Sequence, residues 1–590
     1  MIKSLPFVFL LCCTPVFLRA QGSNLNMDNE AYPLLDRLEI ATGVKAPYHS
    51  SIKYFTRGDV TRYALMLDTA QIQWRKGEKE QLDFLFKDNN EWLGAPEFAK
   101  ELGDFRKQGA EKPLSQTELS LAHPKYFRNN KPILKYFYPT PANFYEVNDR
   151  HFNFRLNPML NFQYGSSPQT DEPVFYNLRG LEARGGVDDR IFFYLNITET
   201  QARFPDYVND RITKNRAIPG AGFFKPYTSD IFKIKKGYDF LNAQGYMAFN
   251  ITTHVGAQFG YGRNFIGNGY RSLLLSDFSN NYLYLKLNWR VWKFHYQNLF
   301  AELAVRSSDA TGDGRLVSKK YMATHYLSID LTPRLSFGLF ETVIFSRNNQ
   351  FEFQYLNPLI LYRTIEQGLG SPDNVLIGVD GKWNFLKRFQ LYGQLMMDEF
   401  VFKELFIEKR GWWANKYAIQ VGGKYINALG INGLDLQAEY NSARPYTYTH
   451  RDSSASYTHY NQALAHPLGA NFKEMVFLLR YQISKRWQVE GRAIHAKVGD
   501  DGSNGQNWGS NLLLPHTTRV QEYGNEIGQG VPGTIDLQGL EISYQPFHRV
   551  ILEFSWLNRI KDSDDDALDK TTSYFGLGLR VNVGKVRWDF

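Results

Sequence analysis

The sequence predicts an all-β transmembrane barrel of about 18 antiparallel strands, preceded by a small helical periplasmic domain. Three observations support this prediction. The chain begins with a segment typical of a secretory signal, many later segments alternate apolar with polar residues, and the last of these leads towards a terminal aromatic residue, Phe590. Alternation with a period of two is the pattern of a strand that has lipid on one face and the lumen on the other.

Residues 1–20 have the features of a signal peptide. Lys3 precedes an apolar run that is too short to span a bilayer, and a small residue precedes the predicted cut at Gln21. The only two cysteines, Cys12 and Cys13, lie inside this segment. The mature chain is therefore expected to contain no disulfide, no thiolate metal site and no cysteine nucleophile.

The composition suits a barrel better than a helical membrane protein. Aromatic residues make up 15% of the chain, yet the mean hydropathy is -0.41 and no apolar run reaches the roughly 20 residues of a membrane helix. The 68 basic and 60 acidic residues are intermixed, which indicates a solvated surface and no nucleic-acid partner. The usual motifs of zinc proteases, serine hydrolases and phosphate-binding loops are absent, so we expect neither catalysis nor a cofactor.

Residues 21–145 are predicted to form a helical periplasmic region. Asn29 can cap a helix that ends before Gly43, and Asp59 can cap a second helix whose apolar residues recur at helical spacing. A third apolar stripe begins at Leu82. Because the N-terminus of a bacterial barrel ordinarily lies on the periplasmic side, we expect this bundle to cap or plug the lumen from there.

Residues 146–590 are predicted to form the outer-membrane barrel. The range 152–164 has the clearest alternation, and short turns such as Thr332–Arg334 and Ser484–Arg486 alternate with long polar loops. Both ends of the barrel fall on the short-turn side, which is the periplasmic side of a bacterial barrel. The last strand is expected to run from Tyr574 to the terminal aromatic residue. A barrel of this size encloses a lumen wide enough for water or a plug.

A glycine-rich loop, residues 260–269, is the first candidate binding element. It lacks the following helix that a phosphate-binding loop needs. Two interpretations stay open. The loop is either a tight connection between strands, or it folds inward and presents Arg263 and Arg271 to an anionic ligand.

The long loop over residues 444–471 is the second candidate. It contains Tyr446, Tyr448, His459 and Tyr460, and Trp508 lies in the next long loop. Rings that stack on sugar faces, beside polar groups that bind hydroxyls, suit a carbohydrate ligand. The alternative is that the rings pack the loop against the barrel mouth. Together with Arg263 and Arg271, these five side chains are the predicted polysaccharide-binding residues.

One charged residue interrupts the pattern of a predicted strand. Glu341 shares the parity of Leu339 and Val343, which are candidates to face lipid, and a carboxylate at the bilayer midplane is costly. Either that face is the lumen, or Glu341 lies near a membrane interface. His325 on the neighbouring strand is the expected partner of Glu341 in a structural pair.

Seven short stretches form an ordered set over residues 150–590: Gly262–Ser272, His325–Leu331, Leu356–Leu359, Asp373–Asn374, Leu391–Gly393, His466–Asn471 and Glu522–Asn525. This set resembles the Wzi-type capsule-assembly outer-membrane proteins, as found in Bacteroidetes, and their related gliding-motility branch labelled RemB. The resemblance implies a barrel of the predicted size with a periplasmic helical part. It also implies a non-enzymatic role in binding or organising surface polysaccharide.

We therefore expect a protein of the bacterial outer membrane that binds or organises capsular or other surface polysaccharide through its extracellular loops, without catalysis. One alternative is an outer-membrane component of gliding motility or surface secretion that holds a protein partner. Another is a diffusion channel, against which a plug would argue. The expected partners are surface polysaccharide and outer-membrane lipid, with motility or secretion proteins under the first alternative. We expect a monomer with no cofactor and no metal.

Overall fold

The computed structural model describes residues 22–590, apart from residues 71, 76, 94–122, 130, 132, 133, 150, 189, 308–316, 372, 503 and 504. The predicted signal peptide lies outside this part. Within it, eighteen strands form the barrel wall: β1 (Phe152–Ser166), β2 (Val174–Val187), β3 (Ile191–Arg203), β4 (Ile234–Asn250), β5 (Val255–Gly262), β6 (Tyr282–Val291), β7 (Phe294–Ala304), β8 (Lys319–Thr332), β9 (Leu335–Phe345), β10 (Asn374–Phe385), β11 (Phe389–Glu399), β12 (Lys416–Tyr425), β13 (Leu434–Ala443), β14 (Phe472–Gln482), β15 (Trp487–Asp500), β16 (Val531–Phe547), β17 (Val550–Ser563) and β18 (Lys570–Val581).

The wall closes on itself through antiparallel pairs. Each strand pairs with the next, and the last pairing joins β18 to β1, with Phe575 opposite Ser166 and Val581 opposite Leu160. Because closure leaves no open edge, the backbone groups of the wall are satisfied within the sheet, as a bilayer requires. The predicted fold class, a transmembrane β-barrel with a small helical N-terminal region, is confirmed.

The alternation predicted for the final strand separates the two faces of the wall. Phe575 and Leu577 are exposed on the outer surface, whereas Tyr574 and Arg580 are buried in the interior. The same alternation recurs along the other strands. The outer surface is therefore an apolar belt, and the interior is filled with polar, charged and aromatic side chains.

Before the wall come the helices α1 (Ala31–Thr42), α2 (Arg57–Thr69), α3 (Glu78–Asp88) and α4 (Pro124–Phe127). As expected, the Asn29 side chain accepts the Ala31 N–H at 2.8 Å, and α1 ends just before Gly43, whose φ of 70° favours glycine. The expected cap of α2 is wrong. Thr56 caps this helix because its hydroxyl accepts the N–H of Asp59, which lies in the first turn. Two later helices lie in loops of the barrel: α5 (Asp206–Asn215), between β3 and β4, and α6 (Tyr362–Leu369), between β9 and β10. None of the helices described is long and apolar enough to cross a membrane.

The N-terminal helices plug the barrel at the end where the short turns lie. Asp36 of α1 pairs with Lys424 of the wall at 2.7 Å. Asp88 of α3 lies between Arg57 of the bundle, at 3.0 Å, and Arg549 in the turn after β16, at 3.2 Å. Burial alone raises the pKa of Asp36, but the surrounding cations, Lys424 foremost, outweigh it and lower that pKa to about 2. Buried ion pairs thus fix the plug to the wall.

A loop from the opposite end folds into the lumen and meets the plug. This inward loop, residues 263–281, connects β5 to β6. Gly267 donates its N–H to the carbonyl of Ser51 at 2.8 Å, and Ile266 forms a β-bridge with Ile52. Segments from both ends of the barrel therefore meet in its interior.

The C-terminal tail, residues 582–590, leaves the wall and enters the lumen. β18 ends at Val581, and Asn582 adopts a φ of 57° where the chain turns inward. Lys585 pairs with buried Glu541 at 2.8 Å, and Phe590 is buried in the interior. The prediction that the terminal aromatic residue belongs to the last strand is wrong, because carboxylates on the lumen face hold the cationic tail inside.

Candidate ligand-binding site

The structure places Arg263 and Arg271 in the lumen, as one of the two sequence interpretations expected. Arg271 is buried, with its Nη2 atom 3.0 Å from Glu474, and it also donates to the backbone carbonyl of Asp589 in the tail. Arg263 donates to the carbonyl of Asp277 at 2.8 Å. The charge of Arg271 is thus already neutralised by partners within the protein.

Arg263 also lines an interior cavity of about 420 Å³. The plug, the inward loop and the tail all contribute to its walls, through Lys53 and Asp28 among others. Burial lowers the pKa of Lys53 to about 8, although the charge of Asp36 acts in the opposite direction. Arg263 therefore faces the lumen and not the cell surface.

Tyr446 and Tyr448 are fully buried beneath the loops of the barrel mouth, with 0% of each side chain exposed. The Tyr446 hydroxyl donates to the carbonyl of Asn507 at 2.9 Å, and the Tyr448 hydroxyl donates to the carbonyl of Leu273 in the inward loop at 2.8 Å. Their rings hold the loops together, as the packing interpretation expected, and are not available for stacking on a ligand from outside.

The other three predicted residues lie in the same loops. His459 is buried; its Nδ1 atom accepts the N–H of Ala304 at 2.9 Å, and its Nε2 atom lies 3.0 Å from the carbonyl of Asn281. Burial lowers the pKa of His459 to about 4, so the ring is neutral at neutral pH. Tyr460 and Trp508 are half-buried and remain accessible to a ligand at the long-loop end.

The loop between β11 and β12 contributes two tryptophans that the sequence interpretation missed. Trp412 and Trp413 are half-buried. Their loop is joined to the loop before β16 by backbone hydrogen bonds, from Trp413 to Glu522 at 3.0 Å and from Asn525 to Gly411 at 2.8 Å. The tandem tryptophan in a predicted long loop was the signal that could have identified this site.

Two arginines lie against the rings of these joined loops. The guanidinium of Arg519 is 4.3 Å from the centre of the Trp413 ring, and that of Arg410 is 4.3 Å from the centre of the Tyr523 ring. We call Arg410, Trp412, Trp413, Arg519 and Tyr523 the aromatic mouth. Flat rings with guanidinium groups beside them provide both a stacking surface and hydrogen-bond donors.

The aromatic mouth is supported from below by a buried histidine. The His516 ring packs on Trp413 with 4.6 Å between ring centres. Burial lowers the pKa of His516 to about 4, and the charge of Lys416 adds to the effect. The neutral imidazole thus adds no charge to the site. Within the described residues, no group of His, Cys, Asp or Glu side chains is arranged to hold a metal ion.

A closed and plugged β-barrel with an apolar outer belt is an outer-membrane protein. The chain belongs to the capsule assembly protein Wzi family, whose model matches residues 173–550. It is similar to the solved structure of Wzi from Escherichia coli, described as an outer membrane protein involved in group 1 capsule assembly and as a carbohydrate binding β-barrel.

The likeness to that structure is in the fold. The two chains are 13% identical, with a TM-score of 0.55, and the match covers 96% of this chain and 100% of the other. OprD of Pseudomonas aeruginosa is 10% identical over 72% of this chain and 94% of its own, with a TM-score of 0.40. No sequence among the curated proteins compared matches the chain.

Proposed function

We propose that this barrel binds surface polysaccharide at the aromatic mouth, on the outer side of the membrane. The observation that carries the proposal is the state of Trp412 and Trp413, which the joined loops hold in place while part of each ring stays accessible. A ring that is fixed before binding loses little conformational entropy when a sugar stacks on it. Tyr523, which is exposed in the facing loop, extends the same surface.

The arginines of the mouth suit a ligand rich in hydroxyl groups. Arg410 pairs with Glu404, and Arg519 pairs with Glu522, so carboxylates balance both charges. Each planar guanidinium carries five N–H donors, more than a single carboxylate accepts. The mouth therefore offers hydrogen-bond donors beside the rings without a large excess of positive charge.

Membership of the capsule assembly family supports this proposal, and the description of Escherichia coli Wzi as a carbohydrate binding barrel agrees with it. Binding proceeds by stacking and hydrogen bonding at several sugar units, with no bond made or broken. The protein acts as a monomer in contact with outer-membrane lipid, with residues 21–145 as its periplasmic region and 146–590 as its barrel.

The filled interior argues against the diffusion-channel alternative, since the plug, the inward loop and the tail all occupy the lumen. A role in gliding motility or secretion stays a prediction from the sequence.

Binding of purified protein to polysaccharide extracted from its own species tests the proposal. A variant with Trp412→Ala and Tyr523→Ala is expected to lower the affinity at least about tenfold, which corresponds to roughly 1.4 kcal/mol from the two stacking contacts. Val520→Ala is the matched control, because Val520 is 40% exposed in the same loop but carries no ring. Trp508→Ala shows whether the surface extends to the neighbouring loop.

Two further results decide the outcome. Tyr446→Phe removes a buried hydroxyl beneath the mouth and is expected to leave binding unchanged while the barrel stays folded. If the wild-type protein shows no saturable binding, or if the double variant binds as well as Val520→Ala does, the aromatic mouth is not a polysaccharide site.

A further inference from the structure

The outer face of β9 is covered along its second half. Leu335, Phe337 and Leu339 are exposed on this face, as lipid-facing residues are, but Glu341 and Val343, which share their parity, are buried. The segment that follows β9 folds back over the outside of the barrel and covers them. We call residues 353–361 the lateral strap; the helix α6 (Tyr362–Leu369) continues it.

Polar groups on the outer wall contact the first residues of α6. Glu341 lies opposite His325 in the register of β8 and β9, with 3.7 Å between the Nδ1 atom of His325 and the Glu341 carboxylate. The N–H of Arg363 lies 3.4 Å from the Glu341 carboxylate, and the ring of Tyr362 packs on His325 with 4.0 Å between ring centres. The carboxylate on the lipid-facing parity is therefore hidden from lipid by α6.

A second set of polar groups holds the strap itself. Tyr296 and Asn298 on the outer face of β7 both donate to the carbonyl of Pro358. The indole N–H of Trp289 in turn donates to Asn298 at 3.1 Å. Irregular backbone is tolerated at membrane depth only where protein satisfies its polar groups, and the outer wall satisfies the Pro358 carbonyl in this way.

The strap lies at membrane height. Glu341 is the seventh residue of β9, counted from Leu335, in a strand of 11 residues. About 9–11 tilted residues cross the whole hydrocarbon core, so Glu341 lies beyond the middle of that core, counted from the short-turn side. The strap and α6, which contact Glu341, His325 and Asn298, are therefore at the level of the outer leaflet.

The outward surface of the strap is mainly apolar. Phe353 is 76% exposed and Leu359 is 82% exposed, and Leu361 is also exposed. The exposed side chains of α6, by contrast, are polar, among them Arg363 and Gln367. This distribution continues the apolar belt outward over the strap and ends it at α6.

We propose that the lateral strap is embedded in the outer leaflet, where Phe353, Leu359 and Leu361 contact lipid acyl chains and α6 reaches the headgroups. The occupant is lipid because the strap is continuous with the lipid-facing surface of β9.

A second apolar segment follows one hairpin further on, where Phe402 and Ile407 are exposed in the loop after β11. The barrel is thus wider on this side, and its outer-leaflet contact is asymmetric.

Fluorescence quenching at single cysteines tests the proposal, since the chain has no cysteine besides Cys12 and Cys13, which are replaced by serine in every variant. Leu359→Cys is labelled with a small fluorophore, and the protein is placed in bilayers that contain a nitroxide-labelled phospholipid. Leu339→Cys, on the belt, and Val520→Cys, in a long loop, are the two controls. We expect lipid nitroxide to quench position 359 as strongly as 339 and at least about threefold more than 520.

Quenching by aqueous iodide measures the exposure of the same positions to water. If iodide quenches position 359 as strongly as 520, while lipid nitroxide does not, the strap faces water and is a surface for another protein; the proposal is then wrong. Leu361→Cys repeats the measurement at a second residue of the same exposed surface, so that a local disturbance caused by the substitution at 359 can be recognised. Glu341→Gln keeps the cover in place and is expected to leave both quenching patterns unchanged.

Discussion

Arg271→Met separates a structural role of this arginine from the ligand-binding role that the sequence suggested. Methionine keeps an unbranched chain about as long as the aliphatic part of arginine, but it removes the guanidinium that faces Glu474, whose carboxylate is fully buried. Glu474 keeps two partners, His466 at 2.8 Å and Asn441 at 3.0 Å. Removing one member of a buried pair costs about 3–5 kcal/mol, and because these partners remain we expect about 3 kcal/mol of lost unfolding free energy.

A double-mutant cycle measures this coupling directly. The wild type, Arg271→Met, Glu474→Gln and the double variant are unfolded with urea in lipid vesicles, and tryptophan fluorescence reports the folded fraction. Because both single changes disturb the same pair, the double variant is expected to lose about 2 kcal/mol less than the sum of the single losses. Lys485→Met is the control, since its pair with Glu80 is exposed and worth about 0–1 kcal/mol.

Two results would refute this reasoning. Additive losses in the cycle would show that Arg271 and Glu474 do not stabilise each other. A variant Arg271→Met of normal stability that no longer binds polysaccharide would show that Arg271 serves the ligand, as the sequence suggested, and not the packing of the lumen.

Three further predictions follow from the interior and the wall. Deleting residues 583–590 removes Lys585 and leaves buried Glu541 without this partner, which is expected to cost about 3–5 kcal/mol of unfolding free energy; an unchanged urea unfolding curve would contradict this. The pKa of Asp36 is lowered on folding, so its pair with Lys424 stabilises the plug at neutral pH and loses that effect as the pH falls from about 4 to about 2. Hydrogen exchange in α1 is expected to rise over this window in the wild type but to change less in Lys424→Met, which removes the largest of the charges that lower this pKa. Gly338→Ala places a methyl group against the wall side chains and is expected to cost about 1–3 kcal/mol of unfolding free energy, whereas Gly368→Ala, which meets nothing within 4 Å, costs less than 1 kcal/mol.

The barrel wall was predictable because its signal is local. In a strand each residue faces either lipid or the lumen, so the alternation of Phe575 and Leu577 with Tyr574 and Arg580 shows the face of each side chain without knowledge of the fold. The helical signals at Asn29 and Gly43 were local in the same sense. The cap of α2 was misplaced by three residues because Thr56 and Asp59 are both good capping residues.

The candidate binding site was less predictable, because burial of a loop residue depends on which other loops contact it. Tyr446 and Tyr448 have the chemistry of a sugar site, yet hydrogen bonds to distant segments bury them. Trp412 and Trp413 have the same chemistry and are half-buried only because a loop more than a hundred residues later pairs beside them. The spacing of residues in the sequence carries no information about such tertiary contacts between loops.

The residue pattern was enough to predict the class of this protein: an outer-membrane barrel of capsule-assembly type, with polar loops on one side and helices before the wall. What fills and covers that barrel depends on contacts that form only in the folded chain. The tail enters the lumen because buried carboxylates on the wall pair with its cations. Glu341 tolerates its lipid-facing parity because α6 covers it. Both outcomes depend on electrostatic and hydrogen-bond partners far apart in the chain, and a periodic pattern does not encode such partners.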